Sequence, residues 1–284
     1  YVNSFGDAGA EGTETTEKTE KTAPNSNRRL LMLQAAFHVS NTGQSYKHWL
    51  NAALHWLWQK QKEGSPISAE SYLQYLESVG RAFVFDHYLC DDRKDFHDII
   101  YRHDGQCQRS NEAGLTEANL IENIRPKLRY GTENMNGFIF NFLDYLLWVE
   151  RSNTDPKIID FRFTIRSSVE HMHPRNPMDE GMKWTGKEAL DAFGNLCLVS
   201  DSKNSRLSNL MPRAKCDDYR NKPMDSIKQH LMFNIIKSKT IDKEGWAAED
   251  VQQHEMEMLN VLAQSCLQVS HGGMAEQCTP YSSE

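Results

Sequence analysis

From Arg28 to about residue 150 the apolar side chains return every three or four positions, and that period dictates the architecture before any other feature. Leu30, Leu31, Leu33 and Phe37, then Tyr46, Trp49, Leu50, Ala53, Leu54 and Leu57, line the buried faces of two amphipathic helices. Ser68, with Glu70 in the turn that follows, marks a third helix start, and Tyr72, Leu73, Leu76, Val79 and Phe83 supply its apolar face. Shorter helical patterns cover 93–102 and 116–125, the latter ended by Pro126, whose ring cannot continue a helix. The run from Phe138 to Val149 is apolar enough to be buried on most sides. Residues 28–155 therefore read as a helical domain.

After Asp155 and Pro156 the period falls to two. Ile159, Phe161, Phe163 and Ile165 alternate with Asp160, Arg162 and Thr164, the pattern of a half-buried strand. Beyond it the expected order is a short strand at 168–171, a loop rich in Pro, Asn and Gly, a short helix near 186–193, a strand at 196–199 and a helix from Asp201. Helices over 224–238 and 246–267 complete a second domain, 156–268. The expected fold class is α+β, mostly helical: a helical N-terminal domain, then a strand, loop, strand, helix finger embedded in helices. Residues 6–27 hold no large apolar side chain, so 1–27 is expected to be a disordered linker and 269–284 a flexible tail.

Charge and cysteine usage narrow the function. A net charge of −7 excludes a protein that coats nucleic acid by bulk charge, yet residues 160–240 carry 14 Lys and Arg against 10 Asp and Glu. The six cysteines form no CxxC pair, which argues against a zinc knuckle and against a disulfide framework. No run reaches the ~18 apolar residues that span a bilayer, and no basic segment followed by an apolar stretch opens the chain, so a cytoplasmic protein is expected. Tyr1 in place of Met leads us to expect a fragment or a processed chain.

Chemistry concentrates in the second half. Hydrolysis of a phosphodiester needs an activated water and a divalent cation to neutralise charge on the phosphate. Histidine, with an unperturbed pKa of ~6.5, suits the first task, and oxygen donors suit Mg²⁺. The sequence offers Glu170-His171-Met172-His173-Pro174, then Phe193-Gly194-Asn195-Leu196, then Asn204-Ser205 and Ser208-Asn209. In these residues the chain resembles the C-terminal HNH domain of GmrSD-type restriction endonucleases, which cut modified DNA, and of related bacterial anti-phage nucleases. The nine-residue step from Asn195 to Asn204 is similar to that between the two asparagines in HNH domains of CRISPR effector nucleases.

The resemblance implies a ββα-metal finger that cuts or nicks double-stranded DNA in the restriction of foreign or modified DNA, with Mg²⁺ as cofactor and Mn²⁺ as a substitute. It implies His171 as general base, Glu170 and Asn204 as metal ligands, and Asn195 as the amide that holds the imidazole in its tautomer. Lys203, Arg206 and Arg213 flank these positions and are candidates for phosphate contacts. His173 is a rival base, on the same strand face if the strand runs past His171, but Pro174 argues that it stops. A zinc site of His171, His173, Cys197 and Cys216 fits no common spacing. The alternative function is a catalytically silent module of the same shape that docks DNA or a partner in a defence complex.

The segment His103-Asp104-Gly105-Gln106-Cys107-Gln108-Arg109 resembles the Asp-Gly-Gln-Gln-Arg motif of the ParB-like NTPase domain that precedes this nuclease in the family. Cys107 interrupts it and no apolar strand leads in, so a polar loop is the better reading. An NTPase is expected before Tyr1 or as a separate subunit. The aromatics of the Tyr46–Trp58 helix read as core packing rather than a stacking platform for bases. The oligomeric state stays open.

Overall fold

The helical period after Arg28 is realised as α1 (Ser26–Ser40), α2 (His48–Glu63) and α3 (Ala69–Ala82) in a computed structural model that describes residues 25–40, 43, 47–207, 209–240 and 245–267, less the Arg206 side chain. α3 starts where its sequence signal lies: Ser68 Oγ accepts from the Ser71 N–H at 3.1 Å, and Ser71 Oγ accepts from the Ser68 N–H at 3.2 Å. This reciprocal capping box satisfies backbone donors that the first turn leaves free. α3 runs on into wider π-helical turns, Phe83–Tyr88, and a second π-helical stretch, Asp98–Arg102, occupies part of the helix expected at 93–102. α4 (Glu117–Ile124) and α5 (Gly137–Arg151) follow, capped by Thr116 and Asn136.

α5 is the central element. Phe138, Phe140, Phe142, Tyr145, Leu147 and Trp148 on it are all buried, as its nearly continuous apolar run requires. Phe37 of α1 stacks on Phe138 with ring centroids 5.4 Å apart. α3 comes so close that a Cβ on Gly80 would lie 2.5 Å from the Phe142 ring, so only glycine fits that crossing.

The strand expected at 159–165 does not form. Pro156, behind the Asp155 cap, starts a helical turn instead, α6 (Pro156–Ile159). The alternation still appears as burial, with Phe161 inside and Arg162 and Thr164 outside, but no strand lies alongside and Ile165 is 63% exposed. Arg166 ends this stretch by pairing with Asp144 of α5 at 2.8 Å, both side chains 0% exposed. Its guanidinium also donates to Asn141 Oδ1 and to the Asp225 carbonyl, so a buried network ties the second half of the chain to α5.

β1 (Ser168–His171) and β2 (Leu196–Val199) pair antiparallel with Ser168 opposite Val199 and His171 opposite Leu196. Between them lies α7 (Lys187–Leu190), and after them come α8 (Asp201–Leu207), α9 (Pro212–Asp218), α10 (Ile227–Ser238) and α11 (Ala248–Leu267). The fold is α+β and mostly helical. The larger apolar cluster crosses residue 155, joining α1, α3, α4 and α5 to Phe193, Leu196, Leu198, Ile227 and Met258. A smaller one gathers Met172, Cys197, Val199, Leu207, Cys216 and Trp246. β2 thus lies between two cores and is buried on both faces, which explains its unbroken Leu-Cys-Leu-Val sequence.

Residues 1–24 and 268–284, which hold most of the expected linker and the expected tail, lie outside the described residues, while Ser26 and Asn27 open α1. The loop after His103 folds over Asp86, whose buried carboxylate accepts from the N–H groups of Gln108 (2.7 Å) and Arg109 (2.9 Å). No helix of the described residues is long and apolar enough to cross a membrane.

Candidate active site

Glu170 and His171 are neighbours on β1, so their side chains leave on opposite faces. Glu170 turns toward α9, where its Oε1 receives the Lys215 ammonium, which also donates to the His171 carbonyl. Lys215 and Glu170 are 2% and 7% exposed, so the pair is shielded from water. Burial pushes the Glu170 carboxyl up and the Lys215 ammonium down, and each partner holds the other's shift back.

His171 turns the other way, toward α7. Its Nε2 lies 3.4 Å from Asp191 Oδ1, within ion-pair reach but without hydrogen-bond geometry, and both atoms are buried with no hydrogen-bond partner. The Tyr130 ring packs edge-on against the imidazole at 4.4 Å, and the Arg175 guanidinium lies 5.1 Å from the Tyr130 ring centroid. The Tyr130 N–H donates to the Asp191 carbonyl at 2.8 Å, which fixes ring and carboxylate relative to one another. Burial pushes His171 down to about 4, against the pull of Asp191 and with help from the positive charges of Arg175 and Lys215. At neutral pH the ring is uncharged and can accept a proton.

Asn195 is expected to hold the imidazole, and the structure gives it another task. Its Nδ2 donates to the carbonyls of His173 (3.1 Å) and Leu190 (2.9 Å), and its Oδ1 accepts from the His173 N–H (2.9 Å) and the Trp246 indole (3.0 Å). With four bonds made, its amide has none left for the ring. It clamps the backbone just beyond His171, and its own carbonyl accepts the Met172 N–H at 2.7 Å. Positioning of His171 is therefore indirect, through the strand end. The 193–195 turn that presents Asn195 is itself held: Lys228 donates to the carbonyls of Phe193 (2.8 Å) and Leu196 (2.6 Å), and Glu255 accepts the Phe193 N–H at 3.1 Å. A Cβ on Gly194 would lie 2.0 Å from the Val251 carbonyl, so α11 presses directly on this turn.

The remaining candidates separate. His173 is 2% exposed and stacks flat on Trp184 at 3.8 Å; burial pushes it, too, down to about 4. Asn204 stands one turn into α8, half-buried, its N–H donating to the Ser200 carbonyl at 2.9 Å. Asp201, at the start of that helix, hydrogen-bonds the Ser168 hydroxyl and fastens α8 to β1. Lys203, expected to face phosphate, pairs instead with Asp225 at 2.6 Å, and Arg213 donates to the carbonyls of Ile236, Lys239 and Thr240 around the end of α10. Both cations are spent on carboxylate or carbonyl oxygens of the protein. The Arg206 side chain and Ser208 lie outside the described residues.

No hydrogen bond or ion pair among the described residues links His171 to Glu170, Asn195 or Asn204. Among those residues no group of three or more His, Cys, Asp or Glu is arranged for a metal ion, so the zinc set of His171, His173, Cys197 and Cys216 does not form. Glu170 offers a buried carboxylate and Asn204 an amide oxygen, donor types that a hard cation takes, but no hydrogen bond or ion pair among the described residues brings the two together. Lys215 already neutralises Glu170, so a cation there has to displace the ammonium from Oε1. Asp191 and Lys215 are functional candidates that sequence reasoning missed. Asp191 sits 20 residues after His171 and Lys215 45 residues after Glu170, separations at which no periodicity links a charge to its partner.

Residues 122–261 match the family described as GmrSD restriction endonucleases, C-terminal domain. The match begins inside α4, takes in α5 and the β1–β2 ribbon, and ends within α11, so it crosses the boundary expected at residue 155. No curated protein and no solved structure matches the chain. The ribbon with His171 at its end, the clamped Asn195 and the α5 helix that supports them all fall inside the matched stretch, so residues 122–261 form the part of the chain that is similar to GmrSD restriction endonuclease C-terminal domains.

Proposed function

We propose that this chain cuts or nicks duplex DNA by metal-assisted hydrolysis in the restriction of foreign DNA, with His171 as the base that activates water. One observation carries the reading: the His171 imidazole is buried, uncharged at neutral pH, and has an Nε2 that lies 3.4 Å from Asp191 Oδ1 without a hydrogen-bond partner. In the proposed step a water oxygen attacks phosphorus and its proton passes to the imidazole. The bond from phosphorus to the leaving oxygen then breaks, and solvent protonates that oxygen. Asp191 stabilises the imidazolium that forms, and an arriving phosphate adds negative charge that raises the ring's proton affinity from its resting value. Mg²⁺, or Mn²⁺ in its place, held by Glu170 and Asn204, would neutralise charge building on the phosphate. Asn195 and the Lys228–Glu255 supports keep the strand end in register.

The test is plasmid cleavage in Mg²⁺ with and without EDTA, comparing wild type with His171→Ala and Asp191→Asn. The expected result is EDTA-sensitive cutting, lost in His171→Ala and reduced in Asp191→Asn; equal cutting by wild type and His171→Ala removes the imidazole from the mechanism. A second reading, a silent DNA-docking or partner-docking module, is favoured by the Lys215 ammonium on Glu170. It is preferred if wild type fails to cut in every divalent metal tried while Asn195→Ala and Asn204→Ala still bind DNA.

A further inference from the structure

A cavity of about 730 Å³ opens between the 157–165 segment, the end of α9 and α10. None of Glu170, His171, Asp191 or Asn195 lines it. It borders Ser200, at the Ser168–Val199 end of the ribbon, whereas His171 lies at the other end. Three strand steps separate the two, roughly 10 Å at ~3.3 Å per residue.

Half of the six Lys and Arg around this cavity are already paired. Lys203 holds Asp225 at 2.6 Å, Lys222 holds Asp218 at 2.8 Å, and Arg220 holds Asp217 at 2.7 Å. Three are not. Lys157, Arg162 and Lys237 line the cavity, are exposed, and make no ion pair or side-chain hydrogen bond among the described residues. The carboxylates that face the space are Asp160 and Asp225, and Asp225 is neutralised by Lys203 and also accepts from the Tyr219 hydroxyl at 2.9 Å. The walls between are apolar: Phe161, Met224 and Phe233, with Ile165 at the rim, 63% exposed.

Unpaired cations at the edge of an apolar cleft, in the range of ~300–1,000 Å³ that small ligands occupy, describe a site for an anion with a flat organic body. We infer that this cleft binds one nucleotide unit, its phosphate on Lys157, Arg162 and Lys237 and its sugar or base against Ile165, Met224 and Phe233. Two sources share that chemistry, a nucleotide within a DNA strand and a free nucleotide. The first rests on the proposed nuclease reading: at ~3.4 Å of rise per nucleotide, a strand cut at His171 places its third or so nucleotide from the cut at this cleft. The exposed, unbonded Ile165 and the strand that fails to form at 159–165 then acquire a use, since a paired strand there would close the cleft.

The experiment is fluorescence anisotropy in EDTA with a fluorescein-labelled 20-mer duplex and, separately, a methylanthraniloyl-labelled nucleoside diphosphate. The full chain is compared with a Lys157→Ala, Arg162→Ala, Lys237→Ala triple variant and with a Lys62→Ala, Arg93→Ala, Arg102→Ala control that removes equal charge from the helical half. The cleft variant is expected to bind the duplex at least tenfold more weakly at 0.1 M NaCl. Its logarithmic salt slope should fall by roughly 1, since the cleft neutralises one phosphate and each phosphate contact contributes ~0.9. The control should change less than twofold. Loss confined to the duplex assigns the site to a DNA strand; loss of the labelled nucleotide assigns it to a free one. Duplex and nucleotide binding unchanged in the cleft variant, or changed no more than in the control, overturns the inference. His171→Ala keeps the two readings apart: it should bind the duplex as wild type does, and if it also cuts like wild type the catalytic proposal fails while the cleft result stands.

Discussion

Replacing Lys215 with methionine removes a charge from a contact that water hardly reaches, since the two side chains are 2% and 7% exposed. Methionine keeps most of the volume, so the change leaves an uncompensated Glu170 carboxylate more than it leaves a cavity. Breaking one partner out of a buried ion pair costs about 3–5 kcal/mol, and the His171 carbonyl, deprived of its donor, adds about 1 kcal/mol. Against a total stability of ~5–15 kcal/mol this is a large loss. Glu170→Leu combined with Lys215→Met puts two apolar groups face to face and should recover most of it. Urea denaturation in EDTA, followed by tryptophan fluorescence, gives the four corners of the cycle, and a coupling of at least ~2 kcal/mol is expected between contacting residues. A cost below ~1 kcal/mol for the single change, or strict additivity in the double, refutes the assignment of Lys215 as the counter-charge of Glu170. The same samples in Mg²⁺ carry the functional question. If the freed carboxylate takes the metal, Lys215→Met should gain up to ~2.7 kcal/mol at a hundredfold excess over the dissociation constant, and wild type should gain less.

Three further outcomes follow from the geometry. Asp144→Ala strands the Arg166 guanidinium at 0% exposure and should lower global stability by about 3–5 kcal/mol in the same denaturation assay, while Asp144→Leu with Arg166→Met restores much of it. Gly194→Ala pushes a Cβ to 2.0 Å from the Val251 carbonyl, so overpacking at or above the usual ~1–3 kcal/mol should appear as a fall in Tm of several degrees. The pH dependence has a definite sign. His171 and His173 are held down to about 4, so between there and ~6.5 the unfolded chain binds more protons than the folded one. Their contribution is complete above ~6.5 and is lost as pH falls toward 4, at up to ~1.4 kcal/mol per pH unit for each ring. Stability that stays flat from pH 6.5 to 5, with both imidazole resonances titrating near ~6.5 by NMR, refutes the burial argument.

What can be read directly from the sequence here is local. The Ser68 cap, the limits of β1 and β2 and the start of α8 at Asp201 each depend on a few adjacent residues, and each lies where its pattern predicts. The alternation at 159–165 is local as well, yet it describes only which side chains face inward; a strand also needs a partner, and Asp155 with Pro156 commits the approach to a helical turn. Charged side chains are harder, because desolvation makes each seek a counter-charge wherever topology supplies one. Lys203 stands next to Asn204 in sequence and reads as a phosphate contact, but Asp225 and the Tyr219 ring, brought over by the turn after α9, claim its ammonium. Arg213 is lost to the carbonyls at the end of α10 in the same way. Lys157, Arg162 and Lys237 have no ion-pair partner among the described residues for the complementary reason: they sit on the α6 turn, the irregular stretch after it and the last turn of α10, at the edge of a cavity whose only described carboxylates are Asp160 and the already paired Asp225. Under the cleft proposal the phosphate falls to Lys157, Arg162 and Lys237 rather than to Lys203 or Arg213, where the residue types alone point.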